Sequence, residues 1–389
     1  MVDLPAVWLV PGADHSVFSR CAQVFGQIFS RFEILDYRRT YLRDGPKVLE
    51  QQISEIARKN RGGLLIYTQF PSSYAFIEPQ QLAELRRSCK VVGFGWDDEM
   101  WFEQARFFYQ SCDAVVTTDI VGAEWLRQAQ VPPYLVPLHL SLGDAPSASA
   151  EDISVSFVGD MTKPGRREAI AALEAHGIPV HDYGLGSRRG RLSDPDVQRV
   201  FCRTRINLNF TRTNPPRWIA RHDPIRARFG QLKSRPYELA ALGRFCLCEW
   251  SPGVDHWFKD GVDIAVFRTV DELVERVRHY LHDDVLRQRI AAAAKKRYDE
   301  EGFAPKIRFE RIFHQIAAAN RGGAPFTPVD APLFVESMGR SRGVSFLHLM
   351  RTLSLGRAFS EVFTSSFARL DYWRGFCGGM AEAMQSRLR

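Results

Sequence analysis

Short apolar runs alternate with amphipathic stretches along most of the chain, and the alternation breaks once. Residues 6–10, 32–37, 64–68, 91–94 and 114–117 read as strands, with helical patterning at 17–29, 47–58, 79–88 and 123–129. Residues 142–152 are rich in Gly, Pro, Ser and Ala and read as a linker. A second series follows, with strands at 154–158, 180–183, 206–210, 245–248 and 264–267. Its helices fall at 166–176, 194–203, 235–242, 270–281 and 284–300. Strands apolar on both faces and spaced by helices demand a parallel sheet covered on each side. Two such series predict two α/β domains, 1–145 and 152–318, facing a cleft, with ligands beyond the carboxyl ends of the strands.

Residues 319–389 read as a helical extension. Phe346, Leu349, Met350, Leu353, Phe359, Phe363, Phe367 and Leu370 recur at helical spacing, interleaved with Arg351, Arg357, Arg369 and Arg374. The pattern fits helices packing on the first domain or on a partner subunit, and it also fits attachment to an anionic membrane surface. No apolar run reaches the roughly 18–20 residues of a membrane span. Residues 1–5 lack the basic-then-apolar order of a secretion signal. The seven cysteines are scattered at spacings that suit neither zinc nor a disulfide framework. A cytoplasmic protein is therefore expected, peripheral at most to the inner face of the membrane.

Charge is distributed unevenly. The whole chain carries +7, yet residues 163–244 alone hold 17 Lys/Arg against 7 Asp/Glu. A local basic field favours an anionic partner: nucleic acid, a phosphorylated lipid surface or a nucleotide diphosphate. Within that segment lies Gln231-Leu232-Lys233-Ser234-Arg235-Pro236-Tyr237-Glu238-Leu239-Ala240-Ala241-Leu242-Gly243. Pro236 suits a first helical turn and Gly243 a carboxyl-terminal stop. Lys233 and Arg235 then stand at the start of a short helix, where a diphosphate gains charge-assisted bonds from both. Glu238, in the first turn, is placed to accept hydrogen bonds from ribose hydroxyls. A capped, solvated helix fits the same residues.

This run, the strand after it and Ser251-Pro252-Gly253-Val254-Asp255-His256-Trp257-Phe258-Lys259-Asp260-Gly261 resemble the donor segment of group 1 (CgeB-like) glycosyltransferases. The resemblance implies the GT-B fold, two Rossmann-like domains facing a cleft, and sugar transfer from a nucleotide-activated donor. It implies that Lys233 and Arg235 hold the diphosphate, that Glu238 binds the ribose, and that transfer retains configuration without a metal or other cofactor. Ser156-Phe157-Val158-Gly159-Asp160 resembles the glycine turn opening the second domain, with Arg166 beginning the next helix. There Gly159 would let the backbone approach the phosphates, and Arg166 or Lys163 would add positive charge. Ile206-Asn207-Leu208-Asn209-Phe210 resembles the family's Leu-Asn strand. Many relatives carry a second glutamate seven positions before the helix glutamate. Gln231 stands there in this chain, so Asp255 and Glu249 are candidates to meet the donor sugar.

Trp96-Asp97-Asp98-Glu99 resembles the acidic turn of the family's first domain. Asp97 and Asp98 fit either an acceptor contact or general base, or else a turn and helix cap. Adjacent carboxylates diverge, so no metal is expected there. His15, in the turn after the first strand, is either a proton carrier or a helix-entry residue. Tyr67-Thr68-Gln69-Phe70-Pro71-Ser72-Ser73-Tyr74 follows another strand end and fits either the lining of an acceptor pocket or rim packing. The expected partners are a nucleotide-sugar donor and a glycan, lipid or protein acceptor. Nucleic acid is not expected, because the basic segment lacks the interleaved aromatics of single-strand binders. The rivals are a non-catalytic basic protein that binds nucleic acid or anionic lipid, and a nucleotide-sugar epimerase or pseudo-enzyme of the same fold.

Overall fold

The computed structural model describes residues 1–69, 76–137, 139–140, 150–221, 230–321, 331–352, 354–363 and 369–385. They form two α/β units, neither of them contiguous in sequence. The first comprises Met1–Val136, Pro216–Asp223 and Phe309–Arg389, and the second Pro137–Pro215 and Pro224–Arg308. The division thus departs from boundaries at 145, 152 and 318. From Phe309 onward the helix Pro305–Ala318 belongs to the first unit, where Phe309 and Phe313 are buried against Phe25 with ring centroids 5.5 and 5.3 Å away. Phe70 and Tyr74, most of the expected linker, and Leu353 and Phe367 of the tail lie outside the described residues.

The first unit holds six parallel strands: β1 (Val2–Val10), β2 (Phe29–Asp36), β3 (Leu64–Tyr67), β4 (Lys90–Phe94), β5 (Ala114–Thr117) and β6 (Pro133–Leu135). Their order is β2-β1-β3-β4-β5-β6. Residues 6–10 and the whole of β3 are buried, as a doubly covered sheet requires. The second unit holds five: β7 (Ile153–Val158), β8 (His181–Tyr183), β9 (Thr204–Asn209), β10 (Cys246–Glu249) and β11 (Ala265–Phe267). They are also parallel, in the order β11-β10-β9-β7-β8. Alternation along these strands splits the core in two. Ile206, Leu208, Leu247, Ala265 and Phe267 pack on one face, and Cys246, Cys248, Ile264 and Val266 on the other.

Each sheet therefore has one topological break, where the chain leaves a central strand for opposite neighbours. In the first unit it lies between β1 and β3, and in the second between β7 and β9. Crevices at such breaks are where open α/β sheets receive ligands.

The C-terminal segment packs on the first unit. Its two long helices, Pro332–Arg351 and Leu370–Gln385, touch backbone to backbone. A Cβ at Gly339 would overlap the carbonyl oxygen of Tyr372, and one at Gly343 that of Phe376. From the other side, Gly375 lies against Glu336 and Gly379 against Arg340 in the same way. Two Gly-x-x-x-Gly stripes thus let the helices approach more closely than any side chain allows. The pair is anchored on the first unit by Gln104 Nε2 donating to Ser337 Oγ (2.8 Å) and by Arg221 on Glu336 (2.7 Å). Tyr41 also donates to the buried Glu361 (2.9 Å).

Gly343→Ala should destabilise the first unit by about 2 kcal/mol or more, because the helices must part to admit the methyl group. Gly356→Ala, with nothing within 4 Å of the added atom, should be neutral or stabilising by up to about 1 kcal/mol. Denaturant unfolding of the two variants beside the parent chain checks both.

Candidate functional site

In the second unit, the predicted donor residues gather at the carboxyl edge of the sheet. The helix Arg235–Ala241 runs only seven residues, so side chains rather than a macrodipole supply its charge. Pro236 occupies its first turn, as expected. Arg235 reaches the end of β7, donating to Val158 O (3.2 Å), while its guanidinium lies 4.4 Å over the Phe201 ring. The same guanidinium holds Glu238 Oε2 at 2.6 Å. Lys233 Nζ donates to Gln231 Oε1 (2.6 Å), and Gln231 N donates to Thr211 O (2.8 Å) beyond β9. Lys233, Arg235 and Glu238 are all partly exposed. The structure thus brings cation, cation and acid to the carboxyl edge of the sheet, with Glu238 bonded to Arg235.

Two other donor candidates make framework contacts. Gly159 N–H donates to Tyr183 O (2.8 Å), continuing the β7–β8 ladder, so this amide is not presented to a phosphate. A Cβ at Gly159 would press on the Phe157 ring at 2.6 Å, and one at Gly184, which has φ +120°, would overlap the Gly159 carbonyl oxygen. Arg166 is 3% exposed. Its Nη1 donates to Asp160 O (2.7 Å) and its Nη2 to Phe210 O (3.3 Å), so it braces the break between β7 and β9 instead of facing a ligand.

Glu249 is also committed. Its Oε2 accepts from Thr211 N (2.9 Å) and its Oε1 from Arg212 Nε (2.9 Å), tying the loop after β9 to the end of β10. Asp255 is exposed and accepts from Trp250 Nε1 (3.0 Å), which leaves it at the rim. Asn207 and Asn209 are buried within the sheet, where Asn207 Nδ2 donates to Phe245 O (3.3 Å). The basic excess of residues 163–244 meets acids from outside that segment. Arg203 pairs with Asp152 (2.8 Å), Arg244 with Glu151 (3.3 Å), Arg212 with Glu249 and Arg205 with Asp284.

In the first unit, the acidic turn caps the helix Asp98–Tyr109, which the sequence reading passed over. Asp98 is 0% exposed and accepts from Tyr109 Oη (2.7 Å) and Thr117 Oγ1 (2.6 Å). Bonded on both oxygens and buried, Asp98 here ties the turn to β5 and to its own helix, which fits the structural one of the two roles expected for it. Asp97 is the residue before the helix, held in the left-handed region at φ 52°, with no cap bond from its side chain. Glu99 is the titratable group of this turn. Burial, reinforced by the neighbouring Asp97 and Asp98 charges, lifts it to about 7 even though Thr118 Oγ1 donates to it (3.1 Å). Three consecutive acids were a legible signal that one would be held neutral.

His15 precedes the helix Ser16–Ile28, exposed and 5.4 Å from the Phe18 ring. It borders a hollow of about 790 Å³ beyond the carboxyl ends of β1 and β2, lined also by Phe18, Arg38, Leu42, His348 and Arg357. The last two come from the C-terminal segment, whose part in this hollow no local motif announces. Among the described residues no three His, Cys, Asp or Glu side chains are grouped as a metal site requires. None of the described helices is long and apolar enough to cross a membrane.

Residues 165–313 match the family model described as glycosyl transferase-like. No match is found among curated protein sequences. Among solved structures, HepE from Anabaena in complex with UDP aligns with a TM-score of 0.58 at 10% identity, covering 82% of this chain and 100% of HepE. HepE has also been solved with UDP-glucose. Sucrose-phosphate synthase from Thermosynechococcus elongatus aligns at 0.56 and 11% identity, covering 82% and 100%. TarM aligns at 0.51 and 11% identity, covering 70% of this chain and 58% of TarM.

Replacing Glu99 by Gln should change stability in a pH-dependent way. Unfolded glutamate loses its proton near pH 4.5 and the folded residue near 7, so parent stability falls as pH rises through that window. Thermal unfolding should therefore show the Glu99→Gln chain gaining on the parent from pH 4.5 to 7 and holding a constant lead above it.

With two parallel-sheet α/β units that align with these enzymes, and a glycosyl transferase-like segment spanning residues 165–313, the chain has the GT-B glycosyltransferase fold.

Proposed function

We propose that this protein transfers a sugar from a nucleotide-diphosphate sugar to an acceptor hydroxyl, with the donor held by the second unit. The observation carrying this reading is the placement of Lys233, Arg235 and Glu238 together at the carboxyl edge of the second sheet, beside the β7–β9 break. Two cations there suit the diphosphate, which gathers negative charge as the glycosidic bond breaks. Glu238, once a ligand shares Arg235, suits the ribose hydroxyls. The HepE complexes with UDP and UDP-glucose support a uridine nucleotide as the first donor to test.

The finer features rest on the residues alone. We place the chain in the CgeB-like branch on the run 233–261, and propose a retaining transfer that uses cationic side chains in place of a metal. Asp255, at the rim, is the nearest candidate for the donor sugar. The first unit takes the acceptor, with the hollow beside His15 as its seat and Glu99, held near neutrality, as the group able to exchange a proton.

Thermal-shift screening with UDP, GDP, TDP, CMP and ADP sugars tests the donor. A ligand at a hundred times its Kd adds about 2.7 kcal/mol of stability. Lys233→Ala should weaken binding of the selected nucleotide sugar about tenfold to hundredfold, the scale of one lost charge-assisted bond. Binding of the corresponding nucleoside should be unmoved. Unchanged nucleotide-sugar affinity in Lys233→Ala and Arg235→Ala would remove the proposal.

A further inference from the structure

Trp250 follows the last residue of β10 and is 38% exposed. Among the described residues of the second unit, every other exposed large apolar side chain is aliphatic. One exposed ring needs no explanation by itself, but this one is held from three sides. Its backbone N–H donates to Phe267 O at the end of β11 (2.8 Å), and its indole Nε1–H donates to Asp255 Oδ2 on the helix Val254–Trp257 (3.0 Å). The guanidinium of Arg268, one residue beyond β11, stands 5.9 Å from the ring centroid and forms no ion pair among the described residues.

These side chains meet at the carboxyl edge of β10 and β11, on the same edge as the donor residues. A short run of bonds joins the two places. Lys233 Nζ donates to Gln231 Oε1 (2.6 Å), Gln231 N to Thr211 O (2.8 Å), and Thr211 Oγ1 to Trp250 O (3.3 Å). A diphosphate at Lys233 therefore has the indole one loop away, on the side away from Arg235 and β7. The chemistry of the cluster selects what it takes. One face of a pyranose carries C–H groups whose slight positive charge suits the negative face of an aromatic ring. Its hydroxyls both donate and accept, and beside the ring stand an exposed carboxylate to accept and an exposed guanidinium to donate. An indole whose N–H is already bonded loses little freedom when a ligand lies on it.

We infer that Trp250, flanked by Asp255 and Arg268, is the platform on which the sugar ring of the donor lies. The inference rests on the donor being held by the second unit, and it adds what that reading leaves open. The sugar is a pyranose that presents a C–H face to the indole, with hydroxyls at its edge for Asp255 and Arg268. The platform supplies binding that the nucleotide sugar uses and the free nucleoside diphosphate does not.

Calorimetric titration of the full chain tests the platform, with UDP-glucose beside UDP, or with the nucleotide sugar that the donor screen selects beside its free nucleoside diphosphate. Trp250→Ala should weaken the nucleotide sugar about fivefold to twentyfold, the scale of one aromatic contact, and leave the diphosphate as in the parent. Trp250→Phe, which keeps a ring, should recover most of that loss. Arg268→Gln should weaken the nucleotide sugar about threefold to tenfold and spare the diphosphate, and it carries the test should the alanine variant fail to fold. Lys233→Ala, by contrast, should weaken both ligands. Nucleotide-sugar affinity unchanged in Trp250→Ala, or in Arg268→Gln where the former does not fold, would overturn the platform while the donor reading stands. So would an equal loss for both ligands, which would assign the ring to the nucleoside diphosphate. A parent chain that binds neither ligand, or a Lys233→Ala chain that binds both as the parent does, would overturn the donor reading and the platform with it.

Discussion

A single buried guanidinium spans the topological break of the second sheet. At the break between β7 and β9 the chain departs in opposite directions, and the carbonyls of Asp160 and Phe210 need partners. Arg166 supplies both, with its charge 5.3 Å over the Phe157 ring. Burying a charge is costly unless its hydrogen-bonding groups are used, and here they fix two loops at a set separation. Glu249 performs the same task on the next loop by clasping Thr211 and Arg212. With these nearest charges spent on geometry, the proposed recognition of a diphosphate is left to Lys233 and Arg235, which keep part of their surface exposed.

The first unit depends on a different constraint, the close approach of two helices. Gly339, Gly343, Gly375 and Gly379 give up side-chain packing so that backbone meets backbone. What this gains is position. Pinned by Glu336, Ser337 and Glu361, the C-terminal segment carries His348 of its first long helix and Arg357 of the short helix Leu355–Ser360 to the rim of the hollow beyond β1 and β2. The extension is thereby part of the first unit's candidate site.

The alternating series made both parallel sheets legible, because the strands are apolar on both faces and the helices amphipathic. The run from Lys233 to Glu238 was legible for a related reason: the residues concerned lie within six positions, and one short helix assembles them. The framework contacts of Gly159, Arg166 and Asp98 were not legible because their partners are remote. Tyr183 lies 24 positions from Gly159, Phe210 lies 44 from Arg166, and Thr117 lies 19 from Asp98. A local pattern tells that a carboxylate or guanidinium is present, but it does not tell whether the fold spends it on structure. The helix Asp98–Tyr109 escaped for a similar reason. It is buried on several sides by Phe102, Phe107, Phe108 and Tyr109, so it lacks the one-sided pattern that marks a surface helix. The domain division was hidden because it is made by returns of the chain, Pro216–Asp223 and Phe309–Arg389, which no linker composition signals.

The same distinction decides what the basic surplus means. Counted along the sequence, residues 163–244 form a cationic block; placed in space, Arg203, Arg205, Arg212 and Arg244 each face an acid that lies outside the block. Paired charges at the surface project little field beyond a Debye length. A polyanion such as nucleic acid needs unpaired charge spread along a face, and these pairs take four members of that spread away. A diphosphate needs only a few donors at one spot. On the proposed reading Lys233 and Arg235, the latter shared with Glu238, are those donors, at the carboxyl edge where sheets of this kind receive ligands.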